Sequence, residues 1–473
     1  MARRALPARW VGSSASWAVE YAAAANVAYR LTLKPSAAFL YQAERYVHPM
    51  IREPIFSGDV VISGGGMTGL TLGLALHQAG LAVAVADAQP LSDQAAPEHD
   101  GRSSALACTS MRMLDAVGAG AHLRPYTQSI KDILVVDGRP YGGLKPGGPG
   151  PDQLHFDRRE LSPGGEGEPL GCMIENRWAR VALAKAAQEA GLIVFAPERA
   201  SHMIENAAPG RAHLVLDSGA VLEAALIVAC DGRFSSLRQK AGVRTLDHAY
   251  HQKAIVLTVE HEHPHQGVAY EYFMPAGPFA ILPLPGNRSS LVWCEKPLCA
   301  DVLGNMDEAG FQDALEARFG DFLGWVKPAS PRWVHPLTLK FSERFIHERL
   351  ALVGDAARGI HPIAGQGFNL GVRDCAALTD VLVDVKRTGL DLGAEATLQR
   401  YEHWRRTDST AIGLGSHLLA LLFSNDYSVI RAARGLGLSL VDKIGLARKF
   451  FMRTAGGHVG DLPSLLRGKT SNL

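Results

Sequence analysis

Nothing in this 473-residue chain approaches an uninterrupted apolar run of about 18 residues, the length a membrane-crossing helix needs, so no transmembrane segment is expected. Charge of one sign is equally lacking: 48 Lys and Arg face 47 Asp and Glu. Without a basic excess or a recognisable nucleic-acid module, no nucleic-acid partner is expected. Cysteine is sparse and scattered: Cys108, Cys172, Cys230, Cys294, Cys299 and Cys375 show neither CxxC nor Cys/His spacing. That argues against a zinc site or a disulfide framework and leaves reduced, mostly buried thiols. The densest histidine cluster is His261-Glu262-His263-Pro264-His265. Alternation on a strand ending at a proline reads as an exposed edge, and no metal is expected. No nucleophilic triad or catalytic carboxylate pair stands out. With 47% hydrophobic and 20% charged residues, the chain has the composition of a globular protein of two or more packed units.

Glycine is plentiful, and its placement carries the first functional signal. Asp59 to Ile62 reads as a buried strand, followed by Gly64-Gly65-Gly66-Met67-Thr68-Gly69 and a helix through Leu70, Leu72, Leu74 and Leu76 that stops at Gly80. This is GxGxxG in strand-turn-helix context. Gly64 serves the tight turn, Gly66 lets a pyrophosphate approach the backbone, and Gly69 allows close helix packing. The next strand, Val83 to Ala86, delivers Asp87 as the ribose carboxylate. Alone, the motif leaves NAD and FAD open.

The later segment Arg349 to Asp374, RLALVGDAARGIHPIAGQGFNLGVRD, favours FAD. Leu350 to Val353 reads as a buried strand that places Asp355 at its carboxyl end, where it can accept hydrogen bonds from a cofactor's sugar-like hydroxyls. Gly365, Gln366 and Gly367 then open a helix whose first N–H groups suit a ring that becomes anionic on reduction. A third strand, Leu226 to Ala229, ends in Cys230-Asp231-Gly232-Arg233, with Arg238 seven residues after Asp231.

With His361-Pro362 followed by Gly365-Gln366-Gly367, Asn369-Leu370-Gly371 and Arg373-Asp374, this segment resembles the ubiquinone biosynthesis hydroxylases. These are class A FAD-dependent aromatic monooxygenases with a para-hydroxybenzoate hydroxylase-like fold. The resemblance spans most of residues 58–473 and includes the Asp231-Gly232 segment, with Cys230 where the family more often has alanine. It also covers the run Gly277 to Leu284 followed by Val292-Trp293. It implies flavin contacts from Arg102 and Asn176, an amide contact from Asn369, and a reactive flavin edge near His361 and Pro362. A packing role for His361 is the alternative. The implied reaction uses NAD(P)H and O2 and hydroxylates the ring of a polyprenylphenol through a C4a-hydroperoxyflavin. A flavin halogenase is disfavoured because WxWxIP is absent. The alternatives carried are a soluble phenol hydroxylase of degradative metabolism and a non-catalytic FAD scaffold in a quinone-synthesis assembly.

The expected fold class is α/β, a Rossmann-like FAD-binding domain with an inserted antiparallel substrate sheet and a C-terminal helical region. The FAD domain is assigned to 58–135, 165–245 and 345–400. The substrate domain takes 136–164 and 246–344, with strands at Ala254–Val259, Val268–Phe273, Phe279–Leu284 and Ser289–Trp293, and a contribution from Ile133 to Phe156. A helix over Glu175–Ala190, a strand at Leu192–Phe195, and a hairpin joining His213–Leu216 to Val221–Leu222 complete the reading.

Helices follow over 401–473, with Tyr401, Trp404, Leu414, Leu418, Leu419, Leu422, Ile430, Leu436 and Leu440 as core candidates. Residues 427–473 hold eight Lys/Arg against two Asp/Glu, which fits peripheral contact with an anionic membrane. The location read from this is the cytoplasmic side of a bacterial inner membrane, alternatively the mitochondrial matrix face, with a ubiquinone-biosynthesis complex as a further partner. Residues 1–57 carry seven Lys/Arg against three Asp/Glu and read as an extension or an upstream start, with organelle targeting second.

Overall fold

The computed structural model describes residues 53–94, 101–137, 153–161, 167–360, 365–423, 445–458 and 460–469. Three sheets organise them. In the first, β1 (Phe56–Ser63) lies between β2 (Val83–Ala86) and β11 (Val221–Ala229), parallel to both. The parallel set continues to β8 (Ile193–Phe195) beside β2 and to β19 (Leu350–Leu352) beside β11. Val60, Val61, Ile62, Ile227 and Val228 have no exposed surface, as expected for parallel strands covered on both faces. The hairpin of β9 (Ala200–Ala208) and β10 (Arg211–Leu216) adds to β11 on its other register. The sequence breaks β11 into two pieces because Glu223 interrupts the apolar run. The strand is continuous, with Glu223 facing His213 and Ser57.

The second sheet is nine-stranded. Its main path runs from β20 (Arg358–Gly359) through β17 (Trp333–Ser342), β12 (Thr245–His261), β15 (Arg288–Glu295), β14 (Gly277–Leu284) and β13 (Val268–Met274) to β5 (Asp132–Asp137) and β6 (Gln153–Asp157). β16 (Val326–Pro328) pairs with the end of β12. The four strands expected between Ala254 and Trp293 are there, and the earlier insertion joins the same sheet through the parallel β5–β13 pair. One face is covered by the helices Pro297–Asn305 and Glu308–Phe319, where Ile255, Leu257, Phe279, Trp293 and Phe311 cluster. The other face turns toward a small third sheet, β3 (Ser103–Ala107), β7 (Gly171–Glu175) and β4 (Gln128–Ile130).

Two expectations change. His261 and His265 are buried. β16 pairs over His261, whose Nε2 lies 3.1 Å from Ser289 Oγ, and His265 Nε2 lies 2.8 Å from the Leu284 carbonyl. Glu262, His263 and Pro264, past the end of β12, are exposed, so the edge reading fails only at the two ends of the cluster. No group of His, Cys, Asp or Glu suited to a metal occurs among the described residues. Leu414 is exposed, because the buried stripe of the helix Glu395–Phe423 runs through Tyr401, Arg405, Ser409 and Gly413. Leu418, Leu419 and Leu422 have no described side chains, and Ile430, Leu436 and Leu440 lie outside the described residues. Among the described residues no helix is long and apolar enough to cross a membrane.

Candidate active site

Three strand ends of the parallel sheet converge, and their glycines show how tightly. Gly64, at φ +101°, follows β1. A Cβ there would lie 2.5 Å from the Cys230 carbonyl oxygen, so this glycine admits the end of β11 as well as the turn. A Cβ on Gly69 would stand 1.8 Å from Gly64 O, which locks the helix Met67–Gln78 onto the turn. Gly66, by contrast, faces open space, as do Gly232 and Gly367. The helix starts at Gly66 and Gly365 have no side-chain cap, leaving their first N–H groups available to an anion.

The carboxylates divide by role. Asp87 accepts from Gly65 N at 2.5 Å and from Gln89 N at 2.8 Å, bracing the glycine turn from the end of β2. Asp231 Oδ2 accepts from Ser236 N at 2.8 Å and Leu237 N, while its buried Oδ1 has no partner among the described residues. Asp355 is the deep one: its surface is accessible although protein surrounds it on most sides, as at the floor of a cleft. Desolvation raises its pKa, against the pull of Arg233, Arg358 and Arg102. Arg238, buried, donates to Ala356 O at 2.8 Å and to Arg233 O at 2.9 Å, tying the Asp231-Gly232 segment to the Gly354-Asp355 turn.

Behind that turn lies a charge cluster that sequence reasoning left unassigned. Asp374 has no exposed surface and accepts from Gly354 N at 3.0 Å, Arg358 at 2.7 and 2.9 Å, and Arg405 Nε at 2.7 Å. Burial alone would raise its pKa, but Arg358 and Arg405 outweigh it and hold the carboxyl below its usual range. The motif signalled Asp374 and Arg358 only by position, and hydropathy patterning treats such residues as surface.

Asn369 and Asn176 fasten β3. Asn369 Oδ1 accepts from Ala107 N at 2.9 Å and its Nδ2 donates to Ala105 O at 2.7 Å. Asn176 Oδ1 accepts from Ser104 Oγ at 2.7 Å, and its backbone N–H donates to Arg102 O. Gly365, at φ +61°, sits where a Cβ would come within 2.9 Å of Ala105 Cβ. Of the predicted residues, Gly64 and Gly69 pack the β1 turn against the end of β11, Asp87 braces that turn, Asp231 caps the short helix after it, and Asn176, Asn369 and Gly365 meet at β3, with the charge of Arg102 acting on Asp355. His361 and Pro362 lie outside the described residues, as does the Gln366 side chain.

Uncapped helix starts, unfilled glycine positions and a deep carboxylate at the carboxyl ends of a parallel sheet suit a dinucleotide whose pyrophosphate and ring meet separate helices. The residues present fit FAD, and the fold and site define a flavin-dependent monooxygenase. The FAD binding domain family matches residues 57–412. The ubiquinone hydroxylase UbiL of Rhodospirillum rubrum is 43% identical over 414 residues, 87% of this chain and 92% of that protein. The 3-demethoxyubiquinol 3-hydroxylase of Escherichia coli is 33% identical, covering 84% of this chain and 98% of that protein. Among solved structures, the p-nitrophenol 4-monooxygenase PnpA of Pseudomonas putida shares the fold at TM-score 0.68 and 17% identity, covering 86% of this chain and 100% of that one. The chain belongs to the FAD binding domain family and, within it, to the ubiquinone biosynthesis hydroxylases.

Proposed function

We propose that this enzyme hydroxylates the aromatic ring of a polyprenylphenol on the route to ubiquinone, with NAD(P)H as electron donor and O2 as oxidant. The observation that supports the reading is the accessible Asp355 at the end of a parallel strand, together with the unfilled glycine positions Gly66, Gly232 and Gly367 after the other strand ends and at the second helix start. FAD bound there supplies the relay of electrons from nicotinamide to dioxygen that ring hydroxylation needs.

The chain's own residues do the rest. The N–H groups opening the helix Met67–Gln78 hold the pyrophosphate, with Asp87 at the adenosine ribose and Asp355 at the hydroxylated side chain of the flavin. Arg102, Asn176, Asp231 and Gly232 border the pyrophosphate and the donor's path. Gly365, Gln366, Gly367 and Asn369 present the second helix start to the ring, where about 1–2 kcal/mol favours negative charge. His361 and Pro362 are assigned to the reactive edge on the motif resemblance alone. We read the FAD portion as 58–135, 165–245 and 345–400 and the substrate portion as 136–164 and 246–344; the pairing of β5 with β13 and β6 supports moving the first boundary back to Lys131. Exposed Arg453 and Lys469 supply charge for a membrane surface, from which a lipid-tailed substrate would enter. A ubiquinone-biosynthesis complex is the matching assembly.

The test is an absorption spectrum of the purified protein, then NAD(P)H oxidation with and without a short-tailed prenylphenol, with product mass recorded. Bound FAD and a product heavier by one oxygen are expected. FAD without substrate-linked oxidation would support a scaffold, and equal turnover of small water-soluble phenols would support a degradative hydroxylase.

A further inference from the structure

We propose that Glu271 is the catalytic base that binds the substrate's phenolic hydroxyl and takes its proton. The inference rests on the hydroxylase reading above and adds a residue to it.

β13 alternates its side chains between the two faces of the large sheet. Tyr270, Tyr272 and Met274 pack under the covering helices, which turns Ala269, Glu271 and Phe273 to the opposite face, the one toward the flavin cleft. The register fixes Glu271's neighbours. It sits opposite Val135 and Ala280, Ala280 opposite Val292, Val292 opposite Val256, and Val256 opposite Trp333. Glu271 is thus the one charge in an otherwise apolar row across six strands.

That row abuts the cofactor side. A Cβ on Gly101 would lie 2.1 Å from the Trp333 ring, and Gly101 precedes Arg102, whose charge acts on Asp355. The row on one side of Glu271 includes Ala269 and Leu282, which cluster with Ala105, the residue against which Gly365 packs. On the other side, Phe273 and Cys294 belong to clusters that Tyr250 joins to Ile360 and Leu370. Through Ala105 and Tyr250, the rows on either side of Glu271 thus reach Gly365 and Ile360.

The surroundings ask for a ligand. Val135, Glu271, Leu282 and Val292 all keep accessible surface on this inward face, so space opens above them. Among the described residues Glu271 has no hydrogen-bond or ion-pair partner, and burial alone raises its pKa to about 7. A carboxylate left unpaired on an apolar face is costly, and a phenol supplies the missing donor.

In the step inferred, the phenolic O–H bond breaks, its proton passes to a Glu271 oxygen, and the electron pair stays on the phenolate. That charge strengthens the ring as a nucleophile toward the oxygen donor. When the hydroxylated ring loses its ring proton to solvent and becomes aromatic again, the carboxyl returns its proton to the same oxygen. The titratable groups sharing this face are Cys294 and Tyr250, both raised by burial and neutral near pH 7, His335 in the row of Ala254 and Cys294, Asp137 opposite Phe273, and the pair Glu260 and Arg288. From the opposing layer come Arg102, Arg233 and Asp355, and Glu175, which accepts from Arg288 at 3.0 Å.

The experiment compares holoenzyme with its Glu271→Gln variant, using 2-prenylphenol as the probe. Anaerobic difference spectra at pH 8 should show a phenolate band with the native enzyme and none with E271Q. Turnover should fall about 100-fold or more, and the rise of kcat/KM through an apparent pKa near 7 should disappear. Flavin content and the flavin spectrum should match in both proteins. A phenolate band that persists in E271Q, or that is missing from the native holoenzyme, overturns the role of Glu271 while leaving the flavoprotein reading intact. A native protein that binds no flavin overturns both. Should the Gln variant fail to fold, Glu271→Asp decides: a retained band with kcat lowered about tenfold supports the role, and an unchanged kcat overturns it.

Discussion

The two sides of the Gly354-Asp355 turn treat buried charge in opposite ways. Behind it, Asp374 is saturated by Gly354 N, Arg358 and Arg405, and Arg405 is shared with Asp408 at 2.6 Å. In front, Asp355 and Glu271 are surrounded by protein yet accessible, Asp231 Oδ1 is unpartnered among the described residues, and three glycines face open space. Behind the turn the carboxylate is fully satisfied, although Arg358 Nε and Arg405 Nη2 stay unpartnered among the described residues, so the cluster balances charge more completely than it satisfies donors. The accessible carboxylates in front are the groups whose hydrogen bonding a ligand can complete.

The comparison breaks most severely behind the turn. Asp374→Leu leaves two buried guanidinium groups without their shared counter-charge and should destabilise the protein by about 3–5 kcal/mol in denaturant melts. Adding Arg358→Met and Arg405→Met should recover part of that loss, whereas adding Asp355→Asn should not. The acid limb follows the same network. With its folded pKa lowered, Asp374 contributes stability above the usual carboxylate range, and that contribution disappears as pH falls through the lower folded value.

Glycines give the next largest contrast. Gly69→Ala would drive a Cβ to within 1.8 Å of Gly64 O and should cost several kcal/mol of stability along with FAD. At Gly367 an added Cβ meets nothing within 4 Å, so Gly367→Val should leave the melting temperature of the flavin-free protein within a few degrees. Flavin retention should nevertheless be lost, as read from the absorbance of protein purified with excess FAD. Retained flavin in Gly367→Val would remove this helix start from the ring site.

The front of the turn was largely legible in the sequence, because backbone demands write themselves as glycine spacing. Gly64, Gly69 and Gly365 are where close approach or positive φ requires them. The rear was not. The buried stripe of the helix Glu395–Phe423 carries Arg405 and Ser409, so apolar periodicity pointed to Leu414, on the wrong face. At His261 the expectation of an exposed strand running to Pro264 failed, since β12 ends at His261, and β16 and Phe319, stacked 6.4 Å from the imidazole, arrive from later in the chain. Asn369 was assigned by resemblance to the cofactor, and nothing local announces its second task of holding β3.

Asp355→Ala tests the front directly. It should weaken FAD binding by about tenfold or more, the loss of hydrogen bonds to a charged acceptor. Flavin-free stability should hold or rise, because the desolvated carboxyl has little protein partnership to lose. Equal loss of stability and affinity would move Asp355 to the structural side of the comparison.

Glu271 gives the smallest effect and the finest discrimination. Its folded pKa, near 7, lies above the ordinary glutamate value of 4.5, so between those values the folded state binds more protons than the unfolded chain. Stability must therefore fall as pH rises across that window, the reverse of the Asp374 contribution. Thermal melts of the flavin-free protein between pH 5 and pH 8 should show a decline of roughly 2–4 °C that Glu271→Gln flattens. Adding 2-prenylphenol should diminish the decline in the native protein and leave the variant unchanged. A decline of equal size in both would mean that Glu271 is already satisfied by the protein, and that the open side of the cleft stops short of β13.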